Sequence, residues 1–126
     1  MISLKLPTLK QEIKDGELKS VKGEMNCFVN VSASAQMIWE REFPILAEKT
    51  ALFEYVDNFS QTGIKDSASA IFALKLLYCF LVFEKPLSVF DYLSMFNFAS
   101  VEYFDELTQT LIKAFEVIFP ESKKKV

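Results

Sequence analysis

One stretch constrains the fold more than any other. From Ala70 to Phe83 the chain is apolar at every position except Lys75. Read as a helix from Ala68 to about Glu84, opened by Asp66 or Ser67 and closed by Pro86, it is apolar almost all round. A helix of that kind is buried on several sides. A membrane span needs about 20 apolar residues, so the stretch reads as the central helix of a folded domain. A chain of 126 residues is one domain by length. It is long enough to bury roughly two-thirds of its unfolded surface without staples.

The first third has a different period. Ile2, Leu4 and Leu6 alternate with Ser3 and Lys5, and Met25, Cys27, Val29 and Val31 alternate with Asn26, Phe28 and Asn30. Period-two alternation predicts half-buried strands. Thr8 to Gly23 is rich in Lys and Glu and reads as turn or loop, with a short strand around Leu18 to Val21. A small antiparallel element of this size is marginal unless it packs on helices.

From Ser32 the period becomes helical. Ser32 or Ser34 caps a first helix through Ala35, Ile38 and Trp39 to Phe43. Pro44 ends or kinks that helix or opens a new one over Ile45 to Lys49. Thr50 caps Ala51 to Phe59, and Ser60 to Asp66 reads as a loop. Ser88-Val-Phe-Asp91 fits a capping box for a helix carrying Phe90, Leu93 and Phe96. Ser100 caps a last helix, Val101 to about Phe119, with Phe104, Leu107, Leu111, Phe115 and Ile118 on one face. The expected fold is therefore mainly α, within the α+β class. It has about five helices over residues 32–120, a small N-terminal antiparallel β element over 1–31 packed on them, and a charged tail at 121–126.

The chain holds thirteen Phe and no His. His is the only side chain that titrates near neutral pH unaided and is the commonest metal ligand. Without it the Ser-His-Asp and Cys-His arrangements and the HExxH zinc motif cannot form. The three glycines, Gly16, Gly23 and Gly63, are isolated, so no phosphate-cradling loop is expected. No acidic series surrounds a central Gly as in a calcium loop. Neighbouring carboxylates such as Glu40 with Glu42, or Asp105 with Glu106, do not face each other on a helix and read as solvated surface. No catalytic residue, metal or cofactor is expected, and the chain reads as a non-enzyme.

A net charge of −3 and a single arginine, Arg41, argue against nucleic acid, whose binding rests on Lys and Arg at the phosphates. Cys27 and Cys79 read as buried thiols of a reducing cytoplasm, with a disulfide between them left open. The alternating start, broken at Pro7, does not resemble a signal peptide, so the expected location is cytoplasmic and away from any membrane.

Two aromatic segments carry the interaction candidates. Trp39 and Phe43 stand four apart and so share a helix face directed at the core; alternatively the single Trp sits at a rim and anchors a partner. The segment Phe90 to Phe104 holds Phe90, Tyr92, Phe96, Phe98, Tyr103 and Phe104. A domain of this size has limited room for so many rings, so some are expected on an exposed patch of the kind that marks interaction sites. Self-association or a partner protein would use it.

An alternating N-terminal region, the segment Trp39-Glu-Arg-Glu-Phe-Pro44, the apolar stretch Ala70 to Phe83, a final amphipathic helix and a charged end together resemble the small tail assembly chaperones of long-tailed bacteriophages. Those from phages of Gram-positive hosts are most similar. The resemblance covers most of the chain in layout, through short motifs. It implies a non-enzymatic protein of the host cytoplasm that binds the tape measure protein and helps gather tail tube protein around it. It also implies a longer form made by ribosomal frameshifting, for which Lys123-Lys124-Lys125 would be encoded by an A-rich slippery run. Physically, a small acidic protein with aromatic grooves can cover the apolar stripes of a long helix while its charge keeps the complex soluble. Two other readings compete: a small structural or adaptor subunit, such as a head–tail joining protein or homo-oligomeric scaffold, and a carrier with a Phe-lined pocket for an apolar ligand.

Overall fold

A computed structural model describes residues 2–118 of the chain. The fold opens with two long strands, β1 (Ile2–Lys14) and β2 (Glu17–Val29), and continues through α1 (Ser34–Glu42), α2 (Pro44–Lys49), α3 (Leu52–Thr62) and α4 (Ser67–Tyr78). A short strand β3 (Leu81–Val82), a short helix α5 (Val89–Leu93) and the long α6 (Val101–Ile118) complete it. The sheet order is β1-β2-β3, antiparallel throughout.

The mainly α expectation is thereby corrected. Among the described residues six helices stand where about five were expected, and the β element is large, with two strands of 13 residues each. The stretch Thr8 to Gly23, read from its charge as turn or loop, belongs almost wholly to the hairpin. The reason lies at its tip. Asp15 and Gly16 both adopt positive φ, 53° and 78°, and Lys14 pairs with Glu17 across them. Two left-handed residues between paired strands make the mirror-image two-residue turn that suits strand twist, and Asp-Gly is among its strongest sequence signals.

β1 is an edge strand, which is where proline can stand in a sheet. The Leu9 amide donates outward, to the Met95 carbonyl at 2.9 Å. Residues two apart point the same way, so the nitrogen of Pro7 also faces outward and its missing hydrogen costs no ladder bond. The Pro7 carbonyl on that edge accepts from the Tyr103 hydroxyl at 2.8 Å. With Phe96 bridging beside Leu9, the edge of β1 is covered over Pro7–Leu9, and Leu6 to Leu9 are all buried.

The apolar stretch splits into a helix and a strand. α4 stops at Tyr78, and the amides of Cys79 and Phe80 turn back to the carbonyls of Leu76 and Leu77. Leu81 and Val82 then pair with Val29 and Phe28. The single helix expected through Glu84 is therefore corrected. A continuous apolar run does not by itself distinguish a buried helix from a buried strand. Here Leu81 joins Val29 in the core while Val82 and Phe28 stay partly exposed.

Several helix ends also differ from expectation. α1 has Ala33 at its N-cap with no side-chain cap. The amide of Leu52 at the start of α3 is satisfied at 2.9 Å by the Gln36 side chain rather than by Thr50. α3 runs on to Thr62 and ends at Gly63, whose φ of 74° suits a glycine. Pro44 opens α2. Asp66 caps α4 in a reciprocal capping box with Ser69, Ser88 caps α5 through the Asp91 amide, and Ser100 caps α6 through the Tyr103 amide. The stretch beyond Ile118, with Pro120 and the charged tail, lies outside the described residues.

One hydrophobic core joins the root of the hairpin to the helices. Leu6, Met25, Cys27 and Val29 supply the inner face of the sheet, and α4 lies against α3, α5 and α6. Tyr92 is fully buried and its hydroxyl donates to the Leu74 carbonyl at 3.1 Å, tying α5 to α4. Beyond Lys10 the hairpin leaves this core: from Lys10 to Glu24 only Glu12 and Val21 are as much as half-buried.

Candidate interaction surfaces

The aromatic residues singled out in the sequence divide into buried and exposed sets. Trp39 is fully buried, and its indole N–H donates to the Thr50 carbonyl at 3.2 Å. Its ring lies 5.3 Å from Phe43, 5.7 Å from Tyr55 and 6.5 Å from Phe72, centroid to centroid. Phe43 is buried as well, with the Lys75 ammonium 6.0 Å from its ring centre. Phe96 is buried against Tyr92 at 5.1 Å. These three rings support the fold and do not meet solvent. Phe98 and Phe104 are half-buried and pack edge to face at 5.4 Å. Phe90 on α5 is 80% exposed. The structure does not gather the six candidates into one surface.

The surface above Trp39 was not singled out by sequence reasoning. Where the C-terminal end of α3 meets the start of α4, Tyr55, Phe59, Phe72 and Ala68 line a cleft of about 500 Å³ rimmed by Asn58 and Lys65. Its aromatic wall is braced from within. Tyr55 and Phe72 stand 5.1 Å apart and both contact Trp39, while Phe59 packs on Phe115 of α6 at 5.6 Å. Aromatic rings held edge to face by further rings keep their positions, so the cleft is pre-formed. A sequence signal existed in the i, i+4 pair Tyr55 and Phe59, but it is indistinguishable from an ordinary core stripe. A second open cleft of about 420 Å³ lies between Ile38, Glu42, Tyr78, Phe83 and Leu87.

The third surface is the projecting half of the hairpin. Ile13 and Leu18 are cross-strand partners and are 77% and 67% exposed. Gln11 and Ser20, the next pair on that face, are joined by a hydrogen bond of 3.4 Å. Lys10, Glu12, Lys14, Glu17 and Lys19 lie on the opposite face. At the root of this arm Lys22 forms an ion pair of 2.7 Å with Glu106 of α6. That bond and the nearby charge hold the Lys22 ammonium above its ordinary value.

The titratable groups of the interior favour their neutral forms. Cys27 and Cys79 are free and buried, and burial pushes their thiols up to about 11 and about 12. The reactive species of a cysteine is its thiolate, which is scarce at neutral pH at both positions. Burial likewise raises the Tyr92 and Tyr103 phenols. Among the described residues no three of Cys, Asp and Glu form a group suited to a metal ion, and no helix is long and apolar enough to cross a membrane. In comparisons with known proteins, no family model, no curated protein and no solved structure matches this chain.

Proposed function

We propose that this chain is a non-enzymatic tail assembly chaperone that acts in the host cytoplasm. It receives the apolar stripe of the tape measure protein in the cleft between α3 and α4 and keeps that protein soluble while tail tube protein gathers. The observation that carries this reading is the aromatic wall of the cleft, where half-buried Tyr55 and Phe72 are braced by Trp39 and backed by the buried Phe59. Helical partners commonly seat an apolar face in a hydrophobic groove of this kind, and pre-organisation limits what binding must spend on ordering side chains. The net charge of −3 favours solubility of the complex.

Co-expression with a tape measure fragment tests the proposal. The expected result is a soluble fragment that co-elutes with the chain. Ala68→Glu and Asn58→Glu place carboxylates at the cleft from exposed positions. Ala68 is in the first turn of α4, where a negative charge suits the helix. Both variants should keep the wild-type circular dichroism and lose the fragment. A fragment that stays insoluble with the wild type, or that both variants rescue equally well, would falsify the proposal.

The projecting hairpin favours a second reading, a structural or adaptor subunit that joins neighbours through an arm. Mass spectrometry of purified particles separates the two. A subunit is retained in the finished particle, and a chaperone is absent from it.

A further inference from the structure

We propose that Lys65 sets which helices the α3–α4 cleft accepts and how they lie. It selects a helix whose apolar stripe ends beside an acidic side chain, seated with that end at the turn between α3 and α4. The inference rests on the reading of the cleft as a helix-binding groove and adds the partner's charge and direction to it. The cleft is graded along its length. Tyr55 and Phe72, 5.1 Å apart, make one end aromatic, and Thr62, Lys65, Asp66 and Ser69 make the other end polar, with Asn58 between.

Most polar groups at that end are already engaged. The Thr62 hydroxyl donates to the Asn58 carbonyl at 3.2 Å. The Ser69 hydroxyl accepts from the Lys65 and Asp66 amides at 2.9 and 3.0 Å and donates to the Asp66 carbonyl. The Asp66 carboxylate is turned to the Ser69 amide at 2.9 Å, where the positive end of α4 offsets part of its charge. The Lys65 ammonium and the Asn58 side-chain amide remain. Both residues are exposed, and neither group has a hydrogen bond or ion pair with another described residue. Lys65 is the single cation among the described residues that line the cleft. Lys75, farther along α4, lies outside the lining and is held near the Phe43 ring. The surrounding helical region is acidic: residues 32–118 carry six basic and twelve acidic side chains. A carboxylate on a seated helix therefore meets a cation of the lining at the turn and nowhere else along the cleft. Opposite charges at one defined place fix register and suppress wrong partners more than they add affinity. Tyr55 and Thr62 are seven residues apart on α3, about 10 Å of helix. A helix lying along α3 would thus carry its acidic residue about seven positions from the apolar residue that covers Tyr55.

Fluorescence anisotropy with two labelled synthetic helices tests the inference. They share one apolar stripe and carry either glutamate or lysine beside the same end of it. The wild type is expected to bind the glutamate helix about tenfold more tightly than the lysine helix, and the gap should narrow as salt rises. Lys65→Glu alters an exposed side chain and keeps the backbone amide that Ser69 accepts from. It should leave the circular dichroism unchanged and reverse the preference. Lys65→Met should bind both helices alike. Equal binding of the two helices by the wild type, or a preference that Lys65→Glu leaves as it was, overturns the inference while the helix-binding reading stands. Failure to bind either helix, or binding of the glutamate helix that Ala68→Glu does not weaken, overturns that reading and the inference with it.

Discussion

Replacing Trp39 by alanine distinguishes a core tryptophan from a binding anchor. The side chain is fully buried, touches Phe43, Tyr55 and Phe72, and donates to the Thr50 carbonyl. Removing a buried ring of this size costs about 3–5 kcal/mol through lost transfer energy and the cavity left behind. Trp39→Phe keeps most of the apolar volume but leaves the Thr50 carbonyl without its donor, a loss of about 1–2 kcal/mol. Domains of this class are stable by only about 5–15 kcal/mol. The alanine variant should therefore lose a large part of the total, and its Tm should fall by about 10–20 °C. Urea and thermal unfolding followed by far-ultraviolet circular dichroism measure both variants. In the wild type the same residue reports directly: as the only tryptophan, it should be shielded from acrylamide until the chain unfolds. A Trp39→Ala protein as stable as the wild type, or a native indole quenched as readily as free tryptophan, would refute the assignment and return Trp39 to the surface as an anchor.

Three further outcomes are expected. Tyr103→Phe removes the bond to Pro7 that ties α6 to the edge of β1 and should cost about 1–2 kcal/mol in urea unfolding. Gly16→Val puts a β-branched side chain at φ 78°, an added strain of about 1–2 kcal/mol; hydrogen exchange should speed up through residues 10–22 while the amides of α4 stay protected. Raising the pH should destabilise the fold, because burial favours the neutral thiols of Cys27 and Cys79. Their contribution is complete below the free-thiol value of 9.0 and is lost as pH climbs through about 11 and about 12, which urea midpoints measured from neutral to alkaline pH would record.

How much of this was legible in the sequence depended on whether a local signal had one meaning. The capping residues Asp66, Ser88 and Ser100 were readable because their side chains act on amides three residues ahead. The stripe of α6 was readable because Leu107, Leu111, Phe115 and Ile118 all turn to one core. Asp15-Gly16 was equally local, yet the lysines and glutamates around it resembled a solvated loop. They are the charged face of an arm that leaves the core, where alternation no longer marks burial. The split of Ala70 to Phe83 into α4 and β3 depends on tertiary pairing with Val29, which no window on that stretch contains. The cleft is also tertiary: Tyr55 and Phe72 lie on different helices and meet over Trp39.

Hydrogen–deuterium exchange on the chain alone and in complex with a tape measure fragment tests the binding proposal most directly. The expected result is added protection confined to the two borders of the cleft, Tyr55 to Gly63 and Lys65 to Phe72, with the arm and α5 unchanged by the fragment. Protection falling instead on the exposed aromatic segment around Phe90, or no change at the cleft in a complex that demonstrably forms, would contradict it.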